Sequence, residues 1–278
     1  AHGTPIMLKA KEQGISPETL IAKMKKNHEK DFESFFINFD HYSSTNSEKN
    51  KELCEEIFLK LKKNKFISQK SISQFYDDQE KMFLPDRYIK GECPKCGAKE
   101  QYGDSCENCG ATYTPTELKN PLSVLSNTKP RTKDTTHFFF NLKNFKDYLI
   151  NWTAQNNLQP AIKNKLNEWL SDNLNDWDIT RDEPYFGFNI PGEKDKFFYV
   201  WMDAPIGYIA TLKEFSEKNK KFEDIWDNED NGEIYHFIGK DIAYFHALFW
   251  PSILNGAGYR TPNGIFCHGF LTVDGKKM

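Results

Sequence analysis

Four of the six cysteines stand in two short hooks, Cys93-Pro94-Lys95-Cys96-Gly97 and Cys106-Glu107-Asn108-Cys109-Gly110, with nine residues between them. CxxC is the shortest loop that lays two sulfurs on one ion, and two such hooks complete a tetrahedron with Zn–S distances of about 2.3 Å. The glycine after each hook lets the backbone turn through positive φ around the metal. A thioredoxin-like redox pair needs one CxxC in a βαβ setting, whereas two facing hooks favour a structural zinc. Cys93, Cys96, Cys106 and Cys109 fill every position on such an ion. The zinc is then scaffold, and any chemistry must come from elsewhere in the chain.

Four other segments carry residues suited to it. In Tyr235-His236-Phe237-Ile238-Gly239-Lys240-Asp241 a buried strand ends in a glycine and an aspartate just as a helix begins. Ligands of open α/β sheets bind at such strand ends, where Gly239 permits close approach and Asp241 can accept from ribose hydroxyls. Equally, Asp241 could only cap the helix. On that helix Ile242, Phe245, His246 and Phe249 share one face at helical spacing, which reads as core or as a pocket wall with one polar tip. Phe198 to Tyr208 runs as a strand into Ala204-Pro205, with Tyr208 one turn further on. Small residues beside Trp201 and Tyr208 can shape a slot for an unbranched thioether, or simply form a strand–helix turn. In Trp177-Asp178-Ile179-Thr180-Arg181-Asp182, Arg181 is either a surface ion pair or a guanidinium that grips a carboxylate or phosphate.

These segments need elements to position them. Ser16-Pro17-Glu18 and Ser47 read as helix caps, predicting helices to about Phe35 and along the stripe Leu53, Ile57, Phe58, Leu61. Short strands are expected over Ser71–Tyr76, Arg87–Ile89 and Thr136–Leu142, then helices over Phe145–Thr153 and Pro160–Leu174. The last part should run as strand Lys196–Trp201, a helix from Pro205, strand Glu233–Gly239, helix Asp241–Leu254 and a strand or hairpin over Gly264–Val273. This strand–helix alternation predicts an α/β fold with a parallel sheet, interrupted by an insertion of small strands that carries the cysteines.

The 278 residues suffice for roughly two domains. A net charge of -3 gives no global nucleic-acid signature. Aromatic residues make up 15%, enough for both a core and a ligand pocket. Mean hydropathy is -0.71, and no apolar run approaches the roughly 18 residues of a membrane span. Reduced thiolates without a disulfide framework point to the cytoplasm. Cys54 and Cys267 read as ordinary buried or half-buried residues. The chain opens at Ala1 and stops at Met278 just after a strand-like stretch, which is expected of a segment of a longer protein.

Taken together the segments resemble the methionyl-tRNA synthetases. The family's YVWxDAPIGY stretch stands as Tyr199 to Tyr208, its WDISR element as Trp177 to Arg181, and its HFIGKD element as His236 to Asp241. Lys277-Met278 is similar to the start of the KMSKS loop. The resemblance covers essentially the whole chain. Sister enzymes for Val, Ile and Leu share the fold but carry a large editing insertion that is absent here. It implies a Rossmann-type class I catalytic domain (first half in 1–47, second half in 196–278) with a connective-peptide insertion over 48–195 and a zinc knuckle at 90–113. It implies ATP-dependent formation of methionyl-adenylate and transfer to tRNA(Met), with ATP used as its Mg2+ complex. By similarity Trp201, Ala204, Pro205, Tyr208, Ile242, His246 and Trp250 line the methionine pocket, and Phe245 and Phe249 back it and move on binding. Gly239 and Asp241 hold the ATP ribose, His268, Gly269 and Phe270 lie near the adenine, and Arg181 binds anionic substrate groups during activation.

The 278 residues depart from the family in having no HxGH quartet and no lysine after Met278 to complete KMSKS. The isolated chain is therefore expected to be inactive. Two rival readings remain at this stage. A non-catalytic zinc-ribbon module on a nucleotide-binding core would bind RNA and not methionine. A thiol–disulfide oxidoreductase would show a low-pKa thiol instead of bound metal.

Overall fold

The computed structural model describes residues 1–103, 106–111, 113–155, 157–171, 174–219, 226, 232–269, 272–274 and 276–277. Its helices are α1 (Thr4–Glu12), α2 (Pro17–Ser34), α3 (Glu48–Lys63), α4 (Lys146–Gln155), α5 (Pro160–Ser171), α6 (Val200–Lys218) and α7 (Trp250–Ala257). Two of their starts follow from local chemistry. Ser16 and Ser47 hold extended backbone and accept hydrogen bonds at 3.2 Å from Thr19 N and Asn50 N. Such caps are worth about 1 kcal/mol each. The stripe Leu53, Ile57, Phe58, Leu61 of α3 is buried against α6 and α7. Each of those side chains contributes roughly 1.5–3 kcal/mol when removed from water.

Among the described residues, parallel pairing is confined to three strands, Tyr235–Gly239, Gly264–His268 and Asn157–Leu158, in that order across the sheet. The other described sheets are antiparallel, so the expectation of a parallel sheet holds only for this part of the molecule. The longest pairing joins Ile67–Asp77 to Arg131–Phe140, with Ile67 opposite Phe140 and Tyr76 opposite Arg131. Trp177–Asp178 extends that sheet beside Phe139 and Phe140. Antiparallel sheets can keep one face wet. Here Thr135 and His137 point inward while Asp134 and Thr136 are exposed. A three-stranded sheet (Gln101–Tyr102, Ile89–Glu92, Lys119–Ser123) frames the cysteine hooks, over its own small core of Phe75, Leu84, Ile89 and Leu118.

Strands Ser71–Tyr76 and Thr136–Leu142 run as Ile67–Asp77 and Arg131–Phe140, and three further boundaries differ in kind from the sequence reading. Asp86–Tyr88 is a turn of 3-10 helix, and the strand starts only at Ile89. The strand at Lys196 ends at Phe198 and α6 begins at Val200, so Trp201 is helical and Pro205 lies inside the helix. Burial of Met202 and Ile206 in the first two turns offsets the hydrogen bond that Pro205 cannot donate. The helix expected over Asp241–Leu254 is split into a 3-10 turn at Lys240–Ile242, a π-turn at Phe245–Phe249 and then α7. Pro251 lacks the N–H that would bond Ala247, and its ring crowds that carbonyl, which widens the preceding turn.

Candidate functional site

The first turns of α6 and the π-turn face each other and build an aromatic slot. Trp201 stacks on Phe245 with ring centroids 4.1 Å apart and planes 5° apart. Trp177 lies 4.1 Å from Phe249. At the polar end, Tyr208 Oη is 3.0 Å from His246 Nε2, and His246 Nδ1 is 3.1 Å from the Ile242 carbonyl oxygen. A carbonyl only accepts, so Nδ1 carries the proton, and bare Nε2 accepts from the tyrosine hydroxyl. Burial pushes His246 below the usual histidine value, against the opposing pull of the Ile242 carbonyl. Burial also raises the Tyr208 phenol. The pair is therefore neutral, and Oη keeps its lone pairs for a ligand donor. Behind it the Trp250 indole N–H donates to His236 Nε2 at 3.1 Å. Burial, then the neighbouring His246, lowers His236 to about 4. Ala204 and Pro205 lie between Trp201 and Tyr208 on α6. Pro205 and Trp250 are buried, while Tyr208 is 42% exposed, so the slot opens on the tyrosine side. Sequence reasoning left His236 and Trp177 out of the site. The inward parity of His236 along its strand, shared with Ile238, was the signal available for the first.

Gly239 and His268 are register partners in the parallel ladder. Gly239, Asp241, His268 and Gly269 thus collect at the carboxyl ends of adjacent strands. A Cβ on residue 239 would lie 2.6 Å from Asp241 Oδ1, so only glycine lets that carboxylate fold back over the strand end. Phe270 lies outside the described residues.

Arg181 lines a cavity of about 550 Å³, together with Trp177, Asp178, Tyr185, Tyr199 and Arg87. Its guanidinium carbon sits 3.7 Å from the centroid of the Tyr199 ring. Nη1 donates to the Thr180 carbonyl at 2.6 Å and stands 3.9 Å from Asp178 Oδ2, beyond hydrogen-bonding distance. Neither flanking aspartate grips it. Both are taken instead by His137, with Nδ1 at 2.8 Å from Asp178 and Nε2 at 2.8 Å from Asp182.

The four hook sulfurs lie within 4.8 Å of one another. Cys93 Sγ is 3.9 Å from Cys109 Sγ, and Cys96 Sγ is 3.6 Å from Cys106 Sγ. The edge of a ZnS4 tetrahedron is about 3.8 Å for 2.3 Å bonds. Both hooks are built alike: Cys93 N and Cys106 N each donate to the alanine carbonyl five residues on, at 2.8 Å. Gly97 and Gly110 take φ of 74° and 70°. The set fits zinc in size, donor type and loop shape, and all four positions would be protein thiolates.

A profile described as tRNA synthetases class I (M) matches residues 1–278. Similar folds occur in solved structures from Mycobacterium tuberculosis. A methionyl-tRNA synthetase in complex with methionyl-adenylate aligns with a TM-score of 0.71 at 24% identity, over 100% of this chain and 49% of that one. A second structure bound by methionyl-adenylate gives 0.69 at 24%, over 97% and 48%. The apo form gives 0.61 at 23%, over 91% and 46%. The chain thus spans about half the length of the structures it matches.

Proposed function

The chain belongs to the class I (M) tRNA synthetase family, and from that premise we propose that it carries the amino-acid pocket of a methionine–tRNA ligase. The parent enzyme would join methionine to ATP as methionyl-adenylate, release pyrophosphate, and pass the aminoacyl group to tRNA(Met). The observation that carries this reading is the slot itself. Stacked Trp201 and Phe245 lead to a Tyr208–His246 hydrogen bond of 3.0 Å, which offers a thioether flat aromatic walls and a polar end.

The other assignments rest on the family resemblance. Ala204, Pro205, Ile242 and Trp250 complete the methionine wall, and Phe249 backs it. Gly239 and Asp241 would take the ATP ribose at the strand ends, with His268, Gly269 and Phe270 beside the adenine. Attack of the methionine carboxylate on the α-phosphate builds negative charge toward the leaving pyrophosphate. A cation facing that charge lowers the barrier, and Arg181 is proposed for this role. Cys93, Cys96, Cys106 and Cys109 would hold one structural zinc, which supplies folding energy to the 90–113 knuckle and no step of the reaction. Residues 1–47 and 196–278 are proposed as two halves of a Rossmann-type domain around the 48–195 insertion.

The test is exchange of labelled pyrophosphate into ATP by the full-length parent, with methionine, norleucine and leucine compared. Methionine should support exchange far better than leucine. An enzyme that exchanges equally well with leucine, or one that binds RNA but exchanges with no amino acid, would overturn the assignment.

A further inference from the structure

His137 is 1% exposed and stands between two carboxylates, each 2.8 Å from one ring nitrogen. An ionised carboxylate only accepts, so both contacts need an N–H, and a neutral imidazole has one. His137 is therefore an imidazolium. Asp182 is further tied to Lys196 and, at 2.9 Å, to the Thr135 hydroxyl. Asp178 gives its other oxygen to Thr180 N at 2.9 Å. Four separate strands bring this cluster together, and Arg181, in sequence between the two aspartates, lines the same cavity as they do. A guanidinium so placed would ordinarily pair with one of them in a charge-assisted bond. Here Asp178 Oδ2 stands at 3.9 Å, a loose ion pair too long for a hydrogen bond, and the guanidinium lies on Tyr199.

We infer that His137 is a positioning residue for Arg181: by holding the Asp178 carboxylate on Nδ1, with Asp182 on Nε2 as its anchor, it keeps Asp178 from closing on the guanidinium, which stays turned to the cavity to receive an anionic group of the substrate. Asp182 leaves the opposite face of its strand from Arg181 and does not compete for it. The inference rests on reading Arg181 as the substrate-facing cation of the proposed synthetase. His137 itself touches no substrate. It acts by competing for the negative charge of Asp178.

The experiment uses the full-length protein. Phenylglyoxal modifies an arginine that is not locked in an ion pair, and peptide mass spectrometry reads the rate at Arg181. His137→Gln should slow that modification about tenfold, the scale of one charge-assisted hydrogen bond, and lower methionine-dependent exchange in parallel. Adding Asp178→Asn should return both to within about threefold of wild type, because the competing carboxylate is gone although the histidine is not restored. A His137 of merely structural importance predicts the reverse, a double variant no better than the single one. Should the variants not fold, nitrogen-15 spectra of the wild-type imidazole decide: both ring nitrogens protonated at pH 7 is expected, and one bare nitrogen defeats the inference. Labelling and spectra need no amino-acid activation, so a wild type that exchanges with no amino acid would defeat the proposed function and leave these readouts decisive on their own.

Discussion

Tyr208 and His246 form a hydrogen bond whose direction matters more than its length. The Ile242 carbonyl fixes the histidine tautomer, so the tyrosine proton is already spent and the phenol oxygen can only accept from a ligand. A thioether has no donor for that oxygen, so Tyr208→Phe should act by leaving His246 Nε2 without its donor at the end of the slot, lowering kcat/KM for exchange about tenfold for methionine and norleucine alike. A loss confined to methionine would show that the phenol proton is turned to the sulfur instead of to His246. His137 sets a second expectation. Burial alone would lower its pKa, but Asp178 and Asp182 more than reverse this and raise it. A group raised above its unfolded value stabilises the fold fully below about pH 6.5, and that stability is lost as pH climbs through the folded value. The charged groups around it are Asp178, Asp182, Lys196 and Arg181, with Lys70 opposite on the neighbouring strand. Thermal melts should therefore show wild type losing more stability than His137→Gln on going from pH 6 to pH 9. Parallel melting curves across that range would remove the imidazolium from the account.

At the scale of elements, the hooks and the helices differ in how much of them was legible. Caps at Ser16 and Ser47 are one-residue chemistry and stand where the sequence puts them. The hooks are legible too, because spacing and glycines alone define a knuckle. Structural zinc is worth on the order of 10–16 kcal/mol to a domain of this kind. Cys96→Ala should accordingly lower zinc content from about one per chain to well below half. Hydrogen exchange should quicken around residues 90–113 while α3 and α6 keep their protection. Full zinc retention in the variant would place the metal elsewhere. The π-turn at Phe245–Phe249 was not legible, since it depends on a proline five residues after His246 acting backward through a carbonyl. The His137 cluster was not legible either. Asp178 and Asp182 lie 41 and 45 residues along the chain from it, and only strand register joins them.

At the scale of the whole molecule, one continuous core runs from α3 through Phe138, Phe140 and Phe198 to Trp250 and Ile265. It locks the slot to the parallel strand ends. Two strands of the parallel sheet, Tyr235–Gly239 and Gly264–His268, were foreseeable from the alternation of strand and helix, but the third, Asn157–Leu158, was not. The antiparallel majority was not, because pairing partners far apart in sequence leave no local mark. No HxGH quartet occurs in the 278 residues, and adenylate formation relies on several cations placed where charge develops, each commonly worth about a hundredfold. Methionine-dependent pyrophosphate exchange by these 278 residues alone should therefore fall below detection. Robust exchange would show that the catalytic groups have been assigned to the wrong positions.

The π-turn also governs which changes of length the pocket can survive. A π-turn is an α-helix with one residue too many, and the surplus residue sits between Tyr244 and Trp250. Removing one residue there would strain the turn rather than let an ordinary helix close, because Pro251 would still deny its N–H to the carbonyl behind it. The flanking helix would keep its direction, since a π-turn absorbs its extra residue within the turn, while the residues inside it would shift around the axis by about 100° each. His246 would then leave Tyr208, or Phe249 would leave Trp177. The residue count of this stretch is therefore as much a part of the slot as Phe245 and His246 themselves, and an insertion or deletion within these five positions would disrupt it.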